Sequence, residues 1–268
     1  MNNVSKHLKY TSAINYKTLI SVFISIAATW ISLEYKLIFD LDLTLISVAV
    51  VFPLVFTLGS AFQRRERALE HLGRAKAALA AIKYSFSFSK KINETDKQII
   101  YKDIRNVKTE LIRFLYSETL DKQPLIESIS KIQGFITKHQ DKMSKGIALK
   151  VYKLMRDVIM GVENSISIKT HRTPQSIRAY CELFIYVFPF FYAPTLIKNI
   201  VYHEIQVVDI LNNSTQVVTD RFLFIVYGLN IILSFFLITL FNVQEQIENP
   251  FDQDGMDDII LDNYELEY

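Results

Sequence analysis

Val48, Phe52 and Phe56 recur at four-residue intervals inside an uncharged stretch, so on a helix they lie along one face. Several copies of that face around a common axis would stack into apolar rings. Such rings are the physical form of a constriction that gates ions by dewetting. A second group lies near the C-terminus, where Asp252, Asp254, Asp257 and Asp258 crowd together after Asn249-Pro250-Phe251. Hard carboxylate oxygens at that density suit Ca2+. The plain alternative is a solvated acidic tail that pairs with basic residues elsewhere. The spacing is not that of an EF-hand loop.

Other chemistry has little support. The five histidines, His7, His71, His139, His171 and His203, are far apart in sequence, and no nucleophile motif or phosphate-binding loop is present. Cys181 is the single cysteine, which excludes an internal disulfide and a cysteine metal site. Beside an aromatic run it reads as a packing residue. An enzyme is therefore not expected.

The elements that position Val48, Phe52 and Phe56 follow from hydropathy. Half of the 268 residues are hydrophobic and the mean hydropathy is +0.18. Four uncharged runs stand out: Thr18–Leu33, Leu43–Gln63, Leu183–Ile197 and Phe222–Gln244. A helix needs about 20 apolar residues to cross a hydrocarbon core of about 30 Å. The second and fourth runs meet this, and the first and third need their flanks to complete the span. Lys6, Lys9 and Lys17 ahead of the first run resemble the start of a signal peptide, but a second span follows at once and no small-residue cleavage site lies beyond Trp30. The sequence thus predicts an all-α, multi-pass membrane protein with four transmembrane helices and a helical cytoplasmic region between the second and third spans. Its parts are a lead-in at 1–16, two spans over 17–63, the helical region at 64–178, two spans over 179–244 and an acidic tail at 245–268.

The second run does not end at the membrane edge. Arg64, Arg65, Glu66 and Arg67 follow it with no Gly or Pro, and Ala68, Leu69 and Leu72 keep helical spacing. One long helix is expected to pass from lipid into water. Pro53 would kink it, and Gly59, Ser60 and Ala61 offer a small-residue patch for close helix approach. The third span carries Pro189 and Pro194, a combination that lipid tolerates only where protein covers it. Arg178 and Glu182 share a helix face at its start.

Charge is unevenly spread. Between Gln63 and Arg178 lie 24 of the 30 Lys and Arg against 12 acids, whereas Glu245–Tyr268 holds nine acids and no Lys or Arg. The basic excess places the middle region, and with it both termini, in the cytoplasm, with the chain in a cell (inner) membrane. Nucleic acid is not an expected partner, because the lysines are scattered among acids. Within the middle region Asn93 caps a helix bearing Ile100, Ile104, Val107 and Leu111, and Pro124 opens another. A stripe of Met143, Ile147, Val151, Leu154, Val158 and Val162 marks a third helix, with a break expected over Asn164–Pro174. Asn213-Ser-Thr matches a glycosylation sequon by composition alone.

In their order along the chain, three stretches resemble the bestrophin family, and its bacterial and organellar relatives in particular. LTLISVAVVFPLVF is similar to that family's pore helix. SAFQRRERAL stands where the family has an aromatic-rich basic run, with Arg65 and Glu66 in place of paired tryptophans. IENPFDQDGMDD stands where it has an NPFG-plus-acids element, with Asp252 in place of the glycine. The resemblance implies a homopentamer in the lipid bilayer that passes inorganic ions, chloride-like anions first, through a central pore. Val48, Phe52 and Phe56 would form the neck, and Asn249, Asp254 and Asp257 would fall at or near Ca2+-ligand positions. A second constriction in the cytoplasmic part is also implied. The competing readings are a cation-selective channel of the same fold and a membrane-anchored helical scaffold.

Overall fold

A computed structural model of the chain describes residues 13–39, 41–118, 121–172, 174–202, 215–253 and 255–261. Seven α-helices carry them: α1 (Tyr16–Glu34), α2 (Leu43–Ser87), α3 (Glu94–Tyr116), α4 (Gln123–His139), α5 (Lys145–Thr170), α6 (Gln175–Leu196) and α7 (Thr215–Glu248). A short 3-10 turn, Gln140–Lys142, follows α4, and a π-helical turn, Ile197–Tyr202, extends α6. No strand occurs among the described residues. Among the described residues, four helices are long and apolar enough to cross a membrane. They match the four uncharged runs. At 1.5 Å per residue, α1 with 19 residues is about 28 Å long and α6 with 22 is about 33 Å, so both short runs are completed by their flanks.

The chain divides into two compact units. The first takes in residues 13–61 and 174–246, and α1 within it is inside out. Its buried residues are Thr18, Ser21, Ser25, Ala28, Thr29 and Ser32, while Leu19, Phe23 and Trp30 are exposed. Small hydroxylic side chains let helices approach closely and bond across the contact, and large apolar ones outside require surroundings that are not water. Asn230 of α7 donates to the Ser25 carbonyl at 3.1 Å and to the Thr29 hydroxyl at 2.8 Å. Asn242 donates to the Ala13 carbonyl at 2.8 Å and to Thr18 Oγ1 at 3.0 Å. Asn15 caps α1 with a reciprocal capping box to Thr18. Pro189 and Pro194 are both buried inside an unbroken α6, as the cost of exposing them to lipid requires.

The second unit takes in Phe62–Arg172 and the segment from Ile247 onward. Its core is a helical sandwich of Leu72, Leu79, Ile82, Ile100, Ile104, Leu111, Ile132, Val151 and Val158, among others. The predicted cap holds: Asn93 accepts the Asp96 N–H at 2.8 Å. The expected break over Asn164–Pro174 starts too early, because α5 runs on to Thr170. Ser165 returns its hydroxyl to the Gly161 carbonyl at 2.8 Å, and Ile166 stays buried, so the polar residues are absorbed into the helix.

His139 ties the end of α4 to the start of α3. Its Nε2 lies 3.0 Å from Asp96 Oδ2, its Nδ1 lies 3.0 Å from the Phe135 carbonyl, and Lys142 reaches Asp96 at 3.6 Å. Burial pushes the Asp96 carboxyl up, but the bond and charge of His139 and the charge of Lys142 outweigh it and hold it below the ordinary carboxylate range. Because the folded carboxyl titrates below the unfolded one, its stabilisation is present above the unfolded pKa of about 3.9 and is lost as pH falls through the folded value. Acid denaturation followed by helical circular dichroism should therefore show a weaker dependence on pH below about 4 in Asp96→Asn than in the parent chain.

Candidate functional site

Among the described residues of the first unit, one face of helix α2 is buried. Val50 and Leu54 are 2 % and 1 % exposed and pack with Cys181, Ile185 and Phe188 of α6 and Leu237, Ile238 and Phe241 of α7. Thr57 and Ala61 continue the buried line, and Thr57 returns its hydroxyl to the Leu54 carbonyl at 2.9 Å. The opposite face bears the residues singled out by spacing. Val48, Phe52 and Phe56 are 56 %, 59 % and 59 % exposed. The two phenyl rings meet edge to face, with centroids 4.4 Å apart and planes at 65°. Among the described residues of one protomer, then, these three side chains are not buried between helices. Gly59 and Ser60 are exposed as well, and a Cβ on Gly59 would meet nothing within 4 Å. The helix runs unbroken through Pro53.

A charged cluster that spacing did not assemble sits where α1, α6 and α7 meet. Lys17 lies 3.0 Å from Glu245 and 3.3 Å from Glu182, and Arg178 also bonds Glu245. Lys17 stands over the Phe241 ring at 5.0 Å. The sequence showed Arg178 and Glu182 four apart on one face, but each finds its partner on another helix. The available signal was Lys17 itself, a lone cation at the start of an uncharged run, and Glu245 at the end of another. Two cations against two carboxylates make the cluster neutral, so it joins three helix ends without leaving a net charge.

The C-terminal candidates divide. Asn249 has its side-chain oxygen buried and without a hydrogen-bond partner among the described residues, Asp257 gives its backbone carbonyl to the Arg65 guanidinium, and Asp254 lies outside the described residues, as does Asn213. Among the described residues, no three His, Cys, Asp or Glu side chains converge as metal ligands would. Arg64 is also engaged. Its guanidinium donates to the carbonyls of Ile168 and His171 at the end of α5, and its Nε to that of Glu248 at the end of α7 at 3.0 Å. Cations suit helix C-termini, where carbonyls lack intrahelical partners. Lys169 serves α3 similarly, donating to the Phe114 and Ser117 carbonyls and standing over the Phe114 ring at 4.6 Å. Burial pushes the Lys169 ammonium down.

An all-α chain with four membrane-length helices, one of them prolonged into a second helical unit, defines a narrow class of architecture. No protein-family model and no curated protein matches the chain. Solved structures do. A bacterial bestrophin homologue from Klebsiella pneumoniae aligns over 92 % of this chain and 92 % of its own at a TM-score of 0.71 and 13 % identity. A variant of the Klebsiella homologue aligns over 95 % and 93 % at a TM-score of 0.74 and 14 % identity. A structure described as a membrane protein aligns over 93 % of both chains at a TM-score of 0.72 and 14 % identity. The fold is bestrophin-like.

Proposed function

We propose that the chain is a passive ion channel. Copies of it assemble so that the bare face of α2 lines an axial passage, with Val48, Phe52 and Phe56 as rings of a hydrophobic neck. The observation that carries this reading is the two-sidedness of α2: Val50 and Leu54 are buried against α6 and α7, while Val48, Phe52 and Phe56 are left uncovered. The bestrophin-like fold supports it; the resemblance implies five copies, and the basic excess between Gln63 and Arg178 favours the inner membrane with both termini cytoplasmic.

An ion crossing such a neck must wet it, and large apolar rings make wetting costly, so conduction depends on neck width. Selectivity does not come from the rings alone, because aromatic edges favour anions and faces favour cations. The excess of Lys and Arg between Gln63 and Arg178 would raise the local anion concentration near the pore. Anions of the chloride kind are the proposed cargo.

Two measurements on purified protein test this together. Native mass of the detergent-solubilised complex should give five copies, and liposomes carrying the protein should release chloride down a gradient faster than protein-free ones. A monomeric mass with no flux of any ion would leave a helical membrane scaffold.

A further inference from the structure

The acidic segment after α7 was a candidate for holding a divalent cation, and the second unit holds it through contacts of the chain's own. Three ties act on it. The Ile259 N–H donates to the Pro250 carbonyl at 2.9 Å, which brings the two ends of the segment together. Inside it the Gly255 N–H donates to the Asp258 carboxylate at 2.8 Å. From outside, Arg65 donates its Nε to the Asp257 carbonyl while its Nη1 pairs with Glu66 at 2.7 Å. Beyond the loop Leu261 donates its N–H to the Tyr116 hydroxyl at 2.8 Å. Phe251, Ile259 and Leu261, at 1 %, 6 % and 0 % exposure, are inserted into the core of the unit.

A hard cation takes six to eight oxygens, several of them carboxylate. Here two of the described oxygen groups are engaged within the chain, while the Asn249 side-chain oxygen has no hydrogen-bond partner among the described residues. The Asp258 carboxylate accepts a backbone N–H, and the Asp257 carbonyl accepts a guanidinium that brings its own positive charge to the loop. Charge-assisted bonds of this kind are roughly twice as strong as neutral ones. We propose that Arg65, with the loop's internal bonds, latches the acidic segment onto the helical unit, and that its seating is independent of Ca2+. Arg65 is therefore a positioning residue, and the positive charge next to the acids is covalently part of the chain.

Hydrogen–deuterium exchange on the full-length solubilised protein tests this, read on peptides covering residues 255–261. The parent chain should exchange at the same rate in millimolar CaCl2 and in EGTA. Arg65→Gln should exchange roughly tenfold faster or more in both, and Arg65→Lys should fall between. Asp257→Ala should match the parent, because the latch uses the backbone carbonyl; a carboxylate-bound metal would instead be lost there. Protection that rises with CaCl2 in the parent, or an Arg65→Gln variant that exchanges like the parent, overturns the proposal. Should Arg65→Gln fail to fold, Asp257→Ala and the calcium comparison decide alone.

Discussion

Replacing Phe52 and Phe56 by alanine should raise ion flux through reconstituted protein by roughly an order of magnitude or more, without changing the assembly. Both side chains are 59 % exposed among the described residues, on the face of α2 away from Val50 and Leu54. Truncating them therefore removes little intramolecular packing, and the double variant should keep the parent's thermal stability in detergent. That separates a gate from a packing role. A buried Phe→Ala would cost about 3–5 kcal/mol, as expected for a residue such as Phe188 on the far side of the same contact. Val48→Ala should act in the same direction with a smaller effect, because valine fills less of the ring. The expected pattern is more conduction at unchanged stability, read by liposome flux and by thermal denaturation of the same preparations.

The second large effect concerns Gly161. Helix α5 crosses α2 so closely there that a Cβ would stand 2.7 Å from the His71 carbonyl oxygen, 2.9 Å from Ala75 Cβ and 3.0 Å from the Ala75 nitrogen. Two of these three neighbours are backbone, which cannot rotate away, so the helices themselves must separate. Overpacking of this kind costs about 1–3 kcal/mol and sometimes more. Gly161→Ala should lower the thermal midpoint of the full-length protein, and Gly161→Val should lower it further or prevent folding. Gly59→Ala, where a Cβ meets nothing within 4 Å, is the control, and its thermal midpoint should hold or rise. Since glycine costs about 1 kcal/mol relative to alanine in a helix, a clash-free site would gain stability on substitution, which makes a loss at Gly161 diagnostic.

The parts of this structure that were legible in the sequence are those governed by short-range patterns. Hydropathy alone marked the four membrane-length helices, and the absence of Gly or Pro after Gln63 marked the passage of α2 from apolar to charged sequence. Helical spacing found the core residues Ile100, Ile104, Val107 and Leu111. The cap at Asn93 was legible because capping is decided within three residues. Where patterns misled, local polarity was outvoted by packing: Asn164, Ser165 and Ser167 read as a break, yet the buried Ile166 holds α5 together.

What sequence could not supply is long-range. Lys17 and Glu245 are 228 positions apart, and nothing near either residue names the other. The same is true of Arg64 with the ends of α5 and α7, and of Arg65 with Asp257. Gly161 gave no signal at all, because its meaning depends on a second helix lying against it. The inside-out packing of α1 was partly visible as serines and threonines at helical spacing, although hydropathy weighs the whole run and hides which face is polar. For the candidate site, spacing identified Val48, Phe52 and Phe56, and the fold added that the protomer leaves them uncovered. The acidic cluster drew attention through its composition, whereas its contacts involve backbone groups, which composition does not encode.

Conduction along α2 requires water to reach the Val48–Phe52–Phe56 face, and thiol labelling of Phe52→Cys in a Cys181→Ala background measures that access. Cys181 is buried, so its removal leaves one reporter. In liposomes, a charged, membrane-impermeant thiol reagent should react with the cysteine at position 52 and alter ion flux in step with the extent of labelling. If only a lipid-soluble reagent labels that position, and flux does not respond, the face looks into the bilayer and the pore does not run along it.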